Sequence, residues 1–113
     1  MSASDDVELC EVVITAPDSD WSRDFTRSLV SERTASNVHN FAPVQSSFRW
    51  AGEVHDRVEG RAAALHTRCS LIPAIVERAA TEHPYGVPGA SALPIHDGSP
   101  TYLAWIREQT SPP

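Results

Sequence analysis

Apolar residues change their spacing several times along this chain, and each change marks an element. Glu8 to Ala16 (Glu-Leu-Cys-Glu-Val-Val-Ile-Thr-Ala) is apolar and rich in β-branched residues. It reads as a buried first strand, closed by Pro17-Asp18. The spacing then lengthens, with Trp21, Phe25 and Leu29 at i, i+4 and i+8 and Val30 beside them. This predicts an amphipathic helix to about Arg33, with Asp18 and Asp20 favoured at its N-terminal end. From Ala35 to Trp50 the pattern alternates, and Val38, Val44, Phe48 and Trp50 share one parity. Ala51-Gly52 is the turn, and Glu53 to Thr67 returns with Val54, Val58, Ala62 and Ala64 on one parity. Both arms exceed the usual strand length of roughly 5–6 residues. The hairpin is therefore expected to project past one subunit's sheet and to need another surface to cover it.

A second helix is predicted after Ser70 as its cap, with Leu71, Ile72, Ile75, Val76, Ala79 and Ala80 as its apolar face. Pro73 is tolerated in the first turn, and Pro84 ends the helix. His83-Pro84-Tyr85-Gly86-Val87-Pro88 follows, where two prolines stiffen the path and aim His83 and Tyr85 by backbone restraint. Ala90 to Ile95 reads as the last strand, Asp97-Gly98-Ser99-Pro100 as a turn, and Thr101 as the start of a short helix carrying Tyr102, Leu103, Trp105 and Ile106. Residues 1–7 read as a polar, disordered leader, 8–109 as one domain, and 110–113 as a frayed tail. The fold class is α+β. The order β-α-β-β-α-β is the ferredoxin-like arrangement, here with a long central hairpin and an added C-terminal helix.

Composition narrows the partners. With 41% hydrophobic and 21% charged residues, the 113-residue chain has the make-up of a globular domain. A net charge of −6 with no basic run argues against nucleic acid or an anionic membrane as partner. All nine cationic residues are arginine, so Schiff-base chemistry on lysine is excluded. No apolar run approaches the ~20 residues that span a membrane, and the N-terminus lacks a basic, apolar signal. A cytoplasmic location is expected. In that reducing compartment Cys10 and Cys69 are expected to be free thiols.

Several separate stretches together match one pattern: Thr15-Ala16-Pro17-Asp18, Ser47-Phe48-Arg49-Trp50-Ala51-Gly52-Glu53, His66-Thr67-Arg68, His83-Pro84-Tyr85 with Val87-Pro88, and Tyr102-Leu103-Ala104-Trp105-Ile106. Over about residues 8 to 108 the chain resembles the CutA divalent-cation-tolerance family. The resemblance implies a ferredoxin-like subunit, a compact homotrimer with hairpin arms paired across subunits, and a role in the response to metal ions. It also implies grooves between subunits, a shape shared with PII-like signalling trimers. The chain departs from the family at Thr34-Ala35-Ser36-Asn37-Val38, where Leu-Ala-Ala-Cys-Val is usual, so the cysteine linked to copper binding is replaced by Asn37. The usual lysine before threonine is His66. A two-residue turn at Ala51-Gly52 makes paired positions sum to about 103, which sets Asn37 opposite His66.

Three function classes follow. His39, His66 and His83 are candidate ligands for copper(II) or another divalent cation, although their spacing lacks the regularity of Cys-x-x-Cys or His-x-x-x-His. Alternatively, an inter-subunit groove lined by Asn37, His39, Arg49, Trp50, His66, His83 and Tyr85 receives a small molecule. In that reading His66 exchanges protons, Asn37 orients a carbonyl, Tyr85 and Trp50 form a stacking wall, and Arg49 clamps an anion. If the groove is catalytic, His66, Asn37 and Tyr85 carry the chemistry; no nucleophile–base pair, phosphate loop or cofactor fingerprint assigns a reaction. The third class is a non-catalytic interaction scaffold, in which His66 is a strand histidine with satisfied hydrogen bonds and Trp50 and Trp105 serve packing.

Overall fold

The computed structural model describes residues 8–16, 19–41, 43–59, 61–82 and 89–112. In chain order the elements are β1 (Leu9–Ala16), α1 (Ser19–Ser31), β2 (Asn37–Phe41), β3 (Val44–Trp50), β4 (Glu53–Glu59), β5 (Arg61–Arg68), α2 (Ile72–Glu82), β6 (Ala90–Pro94) and α3 (Pro100–Gln109). The main sheet has the order β2-β5-β1-β6 with every pair antiparallel, which is the ferredoxin-like order. The hairpin β3–β4 forms a ladder of its own. Alternation along β1 decides which side is covered. Cys10, Val12 and Ile14 join Leu65, Phe25 and Leu29 of α1, and Ile75 and Ala79 of α2, in one buried core. Glu11, Val13 and Thr15 face the opposite side of the sheet. There α3 packs against β1 and β5, with Leu9 and Ile106 both buried.

The chain ends of the elements explain several differences from the expected boundaries. The two long arms are each divided, into β2 and β3 and into β4 and β5, and the register sum of 103 holds on both parts: Asn37 pairs His66 and Trp50 pairs Glu53. Pro43, just before β3, has no N–H to give a ladder. Ala51 and Gly52 both have positive φ, 52° and 80°, the conformation of a type I′ hairpin turn. Helix α1 closes with a Schellman motif, in which Thr34 N–H donates to Leu29 O at 2.8 Å and Arg33 N–H to Val30 O at 3.1 Å. Ser70 does not cap α2. The chain makes a short 3₁₀ turn, Cys69–Leu71, entered from an extended Arg68. The apolar face of α2 is also narrower than expected, since Ile75 and Ala79 are buried while Val76 and Ala80 are exposed. The last strand stops at Pro94, on the β6 edge where proline is tolerated, and α3 begins at Pro100, one residue before Thr101.

The segment expected to fray after α3 is anchored at its start. Thr110 is buried, and two arginines grip the carbonyl end of the helix. Arg33, held at φ 64°, donates from Nε to Ser111 O at 2.5 Å and from Nη2 to Glu108 O at 2.7 Å. Arg68 donates to Arg107 O at 2.8 Å and to Thr110 Oγ1 at 3.2 Å. Cations at a helix C-terminus satisfy its orphan carbonyls and oppose its negative end.

A third arginine joins the two helices of the core face. Arg78 donates to Glu82 Oε2 at 2.7 Å, Glu32 Oε2 at 2.6 Å and Ser28 Oγ at 2.9 Å. The hydrogen bond from Arg78 holds the Glu82 carboxyl below its ordinary value. A carboxyl lowered in the folded state stabilises at pH above its unfolded value, and the contribution is lost as pH falls through the folded one. Glu82→Gln should therefore cost about 0.3–0.5 kcal/mol at pH 6, a difference that fades at a pH below the ordinary carboxylate range. Urea unfolding at both pH values measures it, and an equal cost at both would show that the charge is not involved.

Candidate functional site

Glu11 is the one acid in the apolar run of β1, and register explains why it is tolerated there. Glu11 pairs His66, and His66 pairs Asn37, so three polar residues form one row across β1, β5 and β2. The row lies on the face away from the helical core and next to α3. His66 is 16% exposed and Glu11 37%, so both are sheltered but reachable. His66 Nε2 lies 2.9 Å from Glu11 Oε1, and its Nδ1 hydrogen-bonds the Tyr102 hydroxyl. A carboxylate only accepts, which places a hydrogen on Nε2 and leaves Nδ1 to accept from Tyr102 in the neutral ring. The Tyr102 hydroxyl has a second acceptor, Asn37 Oδ1, at 3.4 Å. Ser36 Oγ donates to the same Asn37 oxygen at 2.7 Å and also lies 3.0 Å from the His66 carbonyl. Trp105 stacks behind Tyr102, with ring centroids 5.8 Å apart.

The structure brings together three of the residues singled out from the sequence: Asn37, His39 and His66. The His39 ring stands edge-on to His66 at 6.2 Å, and its side is exposed. Arg49 and Trp50 lie at the far end of β3, beside the hairpin turn, on opposite faces of that ribbon and away from this row. His83 and Tyr85 lie outside the described residues. Among the described residues no three His, Cys, Asp or Glu side chains are grouped to hold a metal ion. Both ring nitrogens of His66 are already engaged by protein partners, so His66 is not a metal ligand in this arrangement. The cysteines are free, and burial, together with the neighbouring Cys69 thiol, pushes Cys10 up to about 12, so it stays a protonated core thiol.

Glu11, Ser36 and Tyr102 were absent from the expected site. A lone charge inside an apolar strand was the available signal for Glu11. Tyr102 was visible only as part of a C-terminal motif, because its meeting with His66 depends on how α3 folds back. A shallow depression of about 350 Å³ lies elsewhere, walled by Thr34, Ala74, Glu77, Arg78, Thr81 and Glu82. Its guanidinium is already paired by Glu32 and Glu82, so it offers no free cation.

Residues 10–109 match the CutA1 divalent ion tolerance protein family. The chain belongs to that family. It is 38% identical over 99 residues to the divalent-cation tolerance protein CutA of Thermus thermophilus, covering 88% of this chain and 95% of the relative. It is 31% identical over 97 residues to protein CutA of Mus musculus, covering 86% of this chain and 54% of the relative. The chain thus spans nearly the whole bacterial CutA but about half the length of the mouse protein. Among solved structures, CutA1 from Oryza sativa superposes with a TM-score of 0.87 at 31% identity, covering 93% of this chain and 95% of that one. The T. thermophilus CutA1 gives 0.87 at 37% identity, covering 91% and 99%. The CutA fold expected from the motifs is the one observed. No helix among the described residues is long and apolar enough to cross a membrane.

Proposed function

We propose that this protein serves divalent-cation tolerance as a homotrimer, with the row Glu11–His66–Asn37 facing a groove between subunits. The observation that carries the assembly is the apolar surface an isolated subunit leaves in water. Val54 is 63% exposed, Val58 67% and Trp50 57%, all on the hairpin, with Phe41 and Leu93 exposed on the main sheet. Val54 and Val58 lie on one face of the ribbon and Trp50 on the other, so both faces carry apolar side chains, and long hairpin arms need cover. Cation tolerance rests on the family and on the names its members carry. The two free thiols suit the reducing cytoplasm, although relatives are named as chloroplastic in rice and periplasmic in Archaeoglobus fulgidus.

A second reading, of a small polar molecule in the groove, is favoured by one feature of the site. Engaging His66 with a cation would break its bonds to Glu11 or Tyr102, whereas a hydrogen-bond donor needs only the spare lone pairs of Glu11 and Asn37. Sedimentation of the native protein should give three times the 12.3 kDa chain mass; a single-chain mass at micromolar concentration overturns the trimer. Calorimetric titration of the metal-stripped protein with copper(II) and zinc, at pH 7.5 and 5.5, separates the readings. Saturable binding that weakens at the lower pH supports a direct cation role through imidazole. Absence of binding at both removes that role and leaves the groove to a small molecule.

A further inference from the structure

The cluster around His66 can take up one proton without unpairing any of its members. In the neutral ring, Nε2–H donates to Glu11 and Nδ1 accepts the Tyr102 hydroxyl hydrogen. Protonation puts a hydrogen on Nδ1, which must then donate to the Tyr102 oxygen. The phenolic hydrogen is displaced, and Asn37 Oδ1 stands 3.4 Å away to receive it. Only rotation about the phenolic C–O bond is required. We propose that this cluster is a pH-operated switch, in which protonation of His66 turns the Tyr102 hydroxyl from the imidazole to Asn37 and cancels the Glu11 charge on the open sheet face.

The groups facing His66 from each neighbouring element agree with this. From β1 comes Glu11, the one anion among the described residues in contact with the ring. From β2 come neutral Asn37 and the His39 ring at 6.2 Å, which would oppose a second positive charge when itself protonated. From α3 comes Tyr102. Arg68, two positions along β5, is turned to Glu8, Thr110, Ser111 and the Arg107 carbonyl, and Arg107 itself is paired with Glu8. On β6 the residue beyond Glu11 is Leu93. Imidazole is the side chain whose charge changes in the physiological range. In the neutral state the row carries one net negative charge and leaves the Asn37 oxygen a lone pair for a cationic or hydrogen-donating ligand. In the protonated state both are used internally. The switch is complete within one chain and does not depend on trimer formation or on the ligand.

The test is ¹⁵N imidazole and ¹³C tyrosine spectroscopy of the folded protein from pH 5 to pH 8.5. Neutral His66 should be the Nε2–H tautomer, and the Tyr102 ring resonances should follow the His66 midpoint. Glu11→Gln, which removes the carboxylate on Nε2, should move that midpoint down. Asn37→Ala, which removes the second acceptor, should also lower it while keeping the tautomer. With Tyr102→Phe, Glu11 still fixes the Nε2–H tautomer, and Asn37→Ala added to that variant should no longer move the midpoint. The proposal is overturned by an Nδ1–H neutral tautomer, by a His66 ring whose charge does not change over this range, or by Tyr102 resonances that ignore it. Should Tyr102→Phe fail to fold, the Asn37→Ala midpoint decides: an unchanged value sinks the switch.

Discussion

Leu65→Ala should lower the stability of the folded chain by about 3 kcal/mol, the largest single effect expected here. Leu65 is fully buried in the middle of β5, paired with Val12 of β1 on one side and Val38 of β2 on the other. It belongs to the same packed cluster as Phe25, Leu29 and Ile75, so both core helices rest on it. Truncation removes three carbons from a site walled by strands that cannot collapse inward without breaking ladder hydrogen bonds. The cost is therefore the transfer term plus a residual cavity. Equilibrium unfolding in urea would measure it as a lower midpoint at unchanged slope, equivalent to a melting shift of roughly 12–24 °C. A loss below about 1 kcal/mol would mean that the sheet relaxes to fill the space.

Val58→Glu should convert the native assembly to monomers at micromolar concentration. Val58 is 67% exposed one residue before the end of β4, and Val54, 63% exposed, shares its face. In the proposed trimer this face is closed against a neighbouring subunit, and three carboxylates would be stripped of water without partners. Burying unpaired charge costs several kcal/mol per site, more than a marginal interface withstands. Val76→Glu is the matched control, since Val76 is an exposed valine on α2, away from the hairpin, and should leave the mass unchanged. A trimer that persists with Glu at position 58 would remove this face from the interface.

Much of the architecture was legible along the chain because it depends on local rules. The four-residue spacing of Trp21, Phe25 and Leu29 marks α1, with Phe25 and Leu29 buried and Trp21 stacked on Phe25 at 4.8 Å. The turn at Ala51-Gly52 fixed a register that reached Asn37 and His66, thirteen or more residues away, because a ladder without a net bulge preserves its sum. The family motifs did the rest, and the match to residues 10–109 agrees with them. Boundaries were less legible. Ser70 is a good cap by composition, yet the chain leaves β5 through a 3₁₀ turn whose shape is set by the sheet below it.

The site divides along the same line. Asn37 beside His66 followed from residue counting, since register is a property of one hairpin. Glu11 beside His66 did not, because β1 and β5 are neighbours only through the crossover that α1 makes. Tyr102 was further still, brought to His66 by the return of α3 over the sheet, with Arg33 and Arg68 holding its far end. Sequence alone determines which residues alternate, turn and repeat, because backbone sterics and hydrophobic period act between near neighbours. Which imidazole meets which carboxylate and which hydroxyl is decided by tertiary packing, because those contacts join strands and helices whose order in space no local rule contains.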